Sequence, residues 1–215
     1  MILETFPVGL LQCNCTVLGC ETTGRALVID PGDDVEIILN ILERNKLSLE
    51  AILHTHAHLD HVGATSALAE ATGASVMLHP ADQYLYDHVE MQARMFGSPV
   101  PETMPVDRHV TDGETITVGR LEGEVMHTPG HTPGSLCLRM MGNGDGESPG
   151  RVFAGDTLFL GSIGRTDLWG GNMDRILISI RDRLLTLPDE MVVIPGHGPA
   201  TTIGDERHTN PFLQS

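Results

Sequence analysis

Short apolar runs alternate along this chain with stretches whose apolar residues recur at every third or fourth position. The runs read as strands and the spaced stretches as helices with one buried face. Ile2 to Val8, Thr16 to Gly19 and Ala26 to Asp30 form the first strands, with Thr23-Gly24 as a turn and Asp30-Pro31-Gly32 as a stop. Val35, Ile38, Leu39 and Leu42 then fall at helical spacing. Asp33 or Asp34 is placed to cap that helix, and Arg44 and Lys46 suit its end. A buried strand, Ala51 to His54, precedes a helix-compatible stretch from Val62 to Thr72. Gly73 ends it before a short strand from Ser75 to Leu78.

The alternation continues in the second half. Residues 82–97 carry a helical pattern, and Pro99, Pro101 and Pro105 then enforce an extended loop. Residues 82–105 read as a lid or pocket wall, or as ordinary packing, which is the commoner fate of such a pattern. Residues 114–119 and 121–127 predict a hairpin turning at Gly119-Arg120. A strand over 135–141 leads to a glycine-rich hairpin tip at 142–146, and Arg151 to Ala154 resumes the sheet. An amphipathic helix from Asp174 to Leu187 and a strand from Met191 to Ile194 follow. Strands with interleaved helices predict an α/β layered protein, taken as one domain over residues 1–215.

Composition narrows the picture. At 215 residues with 40% hydrophobic content, the chain can bury a substantial core. No apolar run approaches the roughly 18 residues that span a bilayer, and the start, Met1-Ile2-Leu3-Glu4-Thr5, lacks the pattern of a signal peptide; a cytoplasmic location is expected. Cys13, Cys15, Cys20 and Cys137 show no disulfide spacing, and Cys13 and Cys15 read as a pair of buried thiols on a strand. The formal charge of −16 repels phosphate backbones, which disfavours nucleic acid as a partner. The expected partner is a small-molecule substrate, with no membrane association.

The chemistry is concentrated in Thr55-His56-Ala57-His58-Leu59-Asp60-His61, between a strand and a helix. Imidazole nitrogen and carboxylate oxygen are the ligands that suit zinc and similar divalent metals. On extended backbone His56 and His58 point the same way, and the turn that follows carries Asp60 and His61 to a second side. The form recurs: near His131, Asp156 and His197, as near His56, an apolar strand ends in a small-residue turn bearing a metal-type ligand. Asp30 either ties down the metal loop or serves only as a turn former. His54 reads as a hydrogen-bonded core histidine, and His88 and His109 fall outside any ligand pattern.

These residues resemble the metallo-β-lactamase superfamily, over nearly the whole chain. The stretches Gly155-Asp156-Thr157-Leu158-Phe159, Gly164-Arg165-Thr166-Asp167 and Pro195-Gly196-His197-Gly198-Pro199 are most similar to its glyoxalase II (hydroxyacylglutathione hydrolase) branch, in a short single-domain form. The resemblance implies an α/β fold, the four-layer αβ/βα sandwich, with metals at one edge of two sheets. It implies two divalent ions, zinc first with iron or manganese as alternatives. One is held by His56, His58 and His131, the other by Asp60, His61 and His197, with Asp156 bridging. It further implies thioester hydrolysis, S-lactoylglutathione to lactate and glutathione, by a metal-bound hydroxide. Asp60 and Asp156 stand as the catalytic carboxylates, and Asp60 doubles as a proton acceptor.

The chain departs from the larger members of that branch. It is expected to lack their C-terminal helical domain, and Arg165 and Asp167 stand where those enzymes have a Lys and a Tyr. Arg165 is accordingly read as the group that grips a substrate carboxylate, or as a tie for its own loop through Asp167 or Asp174. The nearest alternative is a mononuclear iron persulfide dioxygenase using His56, His131 and Asp156, and a weak or promiscuous β-lactamase is a further one. A binding protein that has lost catalysis is the alternative from another class, opposed by the filling of all seven ligand positions.

Overall fold

The computed structural model describes residues 1–141 and 150–214, so the expected hairpin tip at 142–146 lies outside the described residues. The chain divides into two compact units, Met1–Val110 with Thr117–Leu121, and Thr111–Ile116 with Glu122–Ser215.

The first unit is built on a six-stranded sheet in the order β1 (Ile2–Val8), β2 (Cys13–Cys20), β3 (Arg25–Ile29), β4 (Ser48–Leu53), β5 (Ser75–Leu78) and β6 (Arg108–His109). The first two pairings are antiparallel and the rest parallel. Parallel neighbours need crossovers. These carry α1 (Val35–Arg44), then α2 (Leu59–Val62) with α3 (Thr65–Thr72), then α4 (Gln83–Asp87) with α5 (Val89–Phe96). Ile38, Ile41 and Leu42 of α1 and Leu68 and Ala69 of α3 pack with Cys15, Val17, Val28, Ile52 and Val76 of the sheet. Fully burying a side chain such as Ile38 contributes about 2 kcal/mol. On the opposite face Leu27, Ile29 and Leu53 are buried as well, as expected for parallel strands.

The second unit has a sheet in the order β14-β13-β10-β9-β8-β7, where β7 is Thr115–Val118, β8 Leu121–His127, β9 Leu136–Met140, β10 Arg151–Gly155, β13 Val192–Pro195 and β14 Thr201–Thr202. A small ribbon, β11 (Leu158–Phe159) with β12 (Ser162–Ile163), follows β10. The parallel pair β10–β13 is joined through α6 (Met173–Ser179), and α7 (Ile203–Thr209) follows β14. Ile176, Ile180, Leu184 and Ile203 cover Val152, Ala154 and Val193.

Several elements differ from expectation. Strand β2 begins at Cys13 rather than Thr16, because it pairs with β1 along its whole length, from Ile2↔Gly19 to Val8↔Cys13. Asp34 stands just before α1 but gives no capping bond. Its backbone is left-handed, with φ 53°, rather than extended as in a capping residue, and its carboxylate accepts the Gly9 N–H at 2.9 Å instead. The helical stretch 62–72 is two short helices, α2 and α3. The pattern over 82–97 breaks at His88, whose ring Nδ1 bonds the Tyr84 carbonyl at 2.8 Å. The helix at 174–187 passes from α6 into a π-helical turn over Ile180–Leu184.

Candidate metal centre

In the first unit the Thr55–His61 segment leaves the C-terminal end of β4 and is held from three sides by buried side chains. Asp30, 1% exposed, accepts from the Thr55 N–H at 2.7 Å and the Thr55 hydroxyl at 2.6 Å, and its Oδ2 lies 3.0 Å from His61 Nδ1. Asp30 thus ties down the metal loop, the first of its two expected roles. It adopts φ 51°, a left-handed backbone that Asp tolerates better than most residues. Asp82, fully buried, accepts the Ala57 N–H at 3.0 Å. Gln92, 1% exposed, accepts from the Leu59 N–H and donates to the carbonyls of Ala57 and Leu85, each at 3.0 Å.

This cradle brings four candidate ligands together. The His56 ring stands edge-on to His58, centroids 4.8 Å apart, and 4.0 Å from that of His61. His61 Nε2 lies 3.8 Å from Asp60 Oδ2. A carboxylate on Nδ1 assigns the proton of His61 to that nitrogen and turns the Nε2 lone pair to the ligand side. Cys13 Sγ approaches the same Nδ1 at 3.5 Å, and burial pushes this thiol up to about 12. His54 is the core histidine expected. Its Nε2 bonds the Thr65 hydroxyl at 3.1 Å, and burial lowers its pKa to about 4, so it stays neutral.

In the second unit three candidate ligands meet. The turn after β8 is stiffened by the Thr132 N–H donating to the Ser135 hydroxyl at 2.9 Å and by Gly130 N–H to the Thr132 carbonyl at 3.0 Å. His131 Nδ1 donates to the Arg165 carbonyl at 2.8 Å, which sends Nε2 toward Asp156 Oδ2, 3.5 Å away. Asp156 follows β10, and the same Oδ2 lies 3.8 Å from Nε2 of His197, which follows β13. The two strand ends are locked together by Gly196 N–H to the Gly155 carbonyl at 2.8 Å.

Glycines back both acidic candidates. A Cβ on Gly32 would lie 1.7 Å from the Asp60 carbonyl oxygen, and one on Gly164 would lie 1.8 Å from that of Asp156. Arg165 is exposed, and its guanidinium forks onto Asp167 at 2.7 and 2.8 Å, holding that carboxyl down at about 2.

Residues 8–197 match the metallo-beta-lactamase superfamily. This chain belongs to that superfamily. It is 38% identical over 218 residues to the hydroxyacylglutathione hydrolase GloC of Haemophilus influenzae, covering 100% of this chain and 99% of that protein. Among solved structures, the BLEG-1 B3 metallo-beta-lactamase superposes with a TM-score of 0.90 at 38% identity, covering 100% of both chains. TTHA1623 in a di-iron-bound form superposes with a TM-score of 0.85 at 41% identity, over 98% of this chain and 100% of that one. The fold is therefore the metallo-β-lactamase α/β sandwich anticipated from the sequence, and the GloC likeness supports the glyoxalase II-like branch. As a member of this superfamily the protein is a metallo-hydrolase, and its donors, imidazoles and carboxylates, are compatible with divalent metals.

Asp82 and Gln92 are the members of the cradle that sequence reasoning missed. Gln92 did carry a signal: it is a polar residue on the buried face that Val89 and Ala93 define. Asp82, by contrast, follows His79-Pro80 in a turn where an acidic residue needs no special role.

Proposed function

We propose that these residues hold two divalent ions and that the protein hydrolyses thioesters of the hydroxyacylglutathione type, such as S-lactoylglutathione. One ion falls to His56, His58 and His131, the other to Asp60, His61 and His197, and Asp156 serves both. The observation that carries this reading is Asp156, a single carboxylate with one oxygen within 4 Å of two imidazoles, those of His131 and His197. That is the arrangement a bridging ligand requires. Zinc suits the donor set, with iron and manganese as the alternatives; the TTHA1623 crystal structure is of a di-iron-bound form.

Held by these residues, two cations would supply a nucleophile at neutral pH by lowering the pKa of water from 15.7 toward about 7, and would polarise a substrate carbonyl. The chain supplies the rest. Asp30 fixes His61, the Arg165 carbonyl fixes His131, and the Asp60 side chain, 20% exposed, remains open to the pocket as a proton acceptor. A thiol of pKa about 8.5 leaves as thiolate without a strong general acid, which favours a thioester over an amide. Arg165 would have to exchange Asp167 for a substrate carboxylate to act as its grip.

The test is S-D-lactoylglutathione hydrolysis with metal content and oxygen uptake measured on one sample. Turnover with two metals per chain and no oxygen uptake is expected. One iron with oxygen consumption would replace the hydrolase with a persulfide dioxygenase. Nitrocefin belongs in the same panel as a side activity, given the similarity to BLEG-1.

A further inference from the structure

The turn between β1 and β2 displays two consecutive leucines, Leu10 at 97% exposure and Leu11 at 57%. Turn tips are normally polar, and adjacent exposed apolar residues call for a reason. Nor is this tip a loose one. Gly9 N–H is held by the Asp34 carboxylate at 2.9 Å, and Gln12 closes the turn on the Gly9 carbonyl through its backbone N–H at 3.2 Å and its side chain at 2.9 Å.

Beside the tip lies a cavity of about 280 Å³, walled by Val8, Leu10, Leu11, Leu59, Pro99 and Pro101, with Asp60 in its lining. Its lining therefore combines apolar side chains with one of the proposed metal ligands, all within the first unit. At about 30 Å³ per water-sized group, it has room for roughly nine non-hydrogen atoms. Among its polar lining residues, Asp33 carries a negative charge on the wall, its side chain packed against Gly9. An arm bearing carboxylates is repelled there, so the glutathione arm of a substrate lies outside this cavity, whereas an uncharged aliphatic arm gains by covering the leucines.

We propose that this cavity is the subsite for an uncharged aliphatic arm of the thioester, so that the preferred substrate carries a medium-length alkyl chain. The inference rests on the thioesterase reading above. The arm could be the acyl chain or the thiol, and two homologous series separate these sources. One runs from acetyl to octanoyl on a small neutral thiol, N-acetylcysteamine. The other holds the acyl group at acetyl and lengthens the thiol from ethane- to octanethiol.

With the metal-loaded full chain, kcat/KM should climb about fourfold per added methylene in one series, the value of about 0.8 kcal/mol per buried methylene, until the cavity is filled. In the double variant Leu10→Ser, Leu11→Ser the octanoyl-to-acetyl (or octyl-to-ethyl) ratio should collapse toward one. Titration calorimetry of the metal-loaded protein with an octyl thioether, which it cannot hydrolyse, should give a negative heat-capacity change, absent in the variant. Flat slopes in both wild-type series overturn the proposal, and these need no variant. An unchanged ratio in the double variant also overturns it, as does a shift of oligomeric state in the variant with no change of slope, which assigns the leucines to contact between copies. Hydrolysis of S-lactoylglutathione alone would keep the thioesterase reading and sink this one, whereas no thioester turnover at all would sink both.

Discussion

Asp30 holds the metal loop through three contacts from one carboxylate, to the Thr55 N–H, the Thr55 hydroxyl and His61 Nδ1. Asp30→Asn keeps the shape, but its amide NH2 cannot accept where Oδ2 now accepts. His61 then loses its orientation, and metal affinity should fall about 10- to 100-fold in chelator competition. Unchanged affinity would mean that His61 is positioned by something else. The sequence placed Asp30 at a strand end and could go no further, because its partners lie 25 and 31 residues away and are chosen by tertiary packing. The candidate ligands themselves were legible. Metal-type side chains crowded into seven residues are a compositional signal that needs no partner to be seen.

At the scale of elements, the helical pair α4–α5 has a use that its apolar periodicity hid. The stretch 82–105 reads from its pattern as a lid or as plain packing, yet through Gln92 its helix α5 clamps the backbone on either side of His58. Gln92→Leu fills the space but strands the Leu59 N–H and the Ala57 carbonyl, while the Leu85 carbonyl keeps the His88 N–H at 3.2 Å. Buried groups left unpaired in this way cost about 1–3 kcal/mol each, so urea unfolding of the metal-free variant should show a loss of about 2 kcal/mol or more. No loss would show that the loop holds its shape without α5. Most strand and helix positions were legible from periodicity. The breaks at His88 and Ile180 were not, since hydrogen-bond defects inside a helix leave the apolar spacing intact.

For the molecule as a whole, the strand orders β1 to β6 and β14-β13-β10-β9-β8-β7 could not be read from the chain, because pairing is decided between distant segments. What could be read was that every candidate ligand follows a strand, which predicted a layered α/β fold with its chemistry at a sheet edge. Among the described residues no helix is long and apolar enough to cross a membrane. The charge of −16 bears on kinetics. An anionic thioester should gain a few-fold in kcat/KM as ionic strength rises toward 0.15 M, where screening shortens repulsion to about 8 Å, while a neutral thioester should show no trend. Equal salt dependence for both would deny the surface charge any part in substrate capture. The central claim is a pair of cations held by seven side chains, and anomalous scattering from a crystal of the metal-loaded protein tests it most directly. The account predicts two peaks, one against His56, His58 and His131 and one against Asp60, His61 and His197, with Asp156 touching both. Both peaks should weaken in Asp156→Ala and persist in His88→Ala. A single peak, or none among these residues, would contradict it.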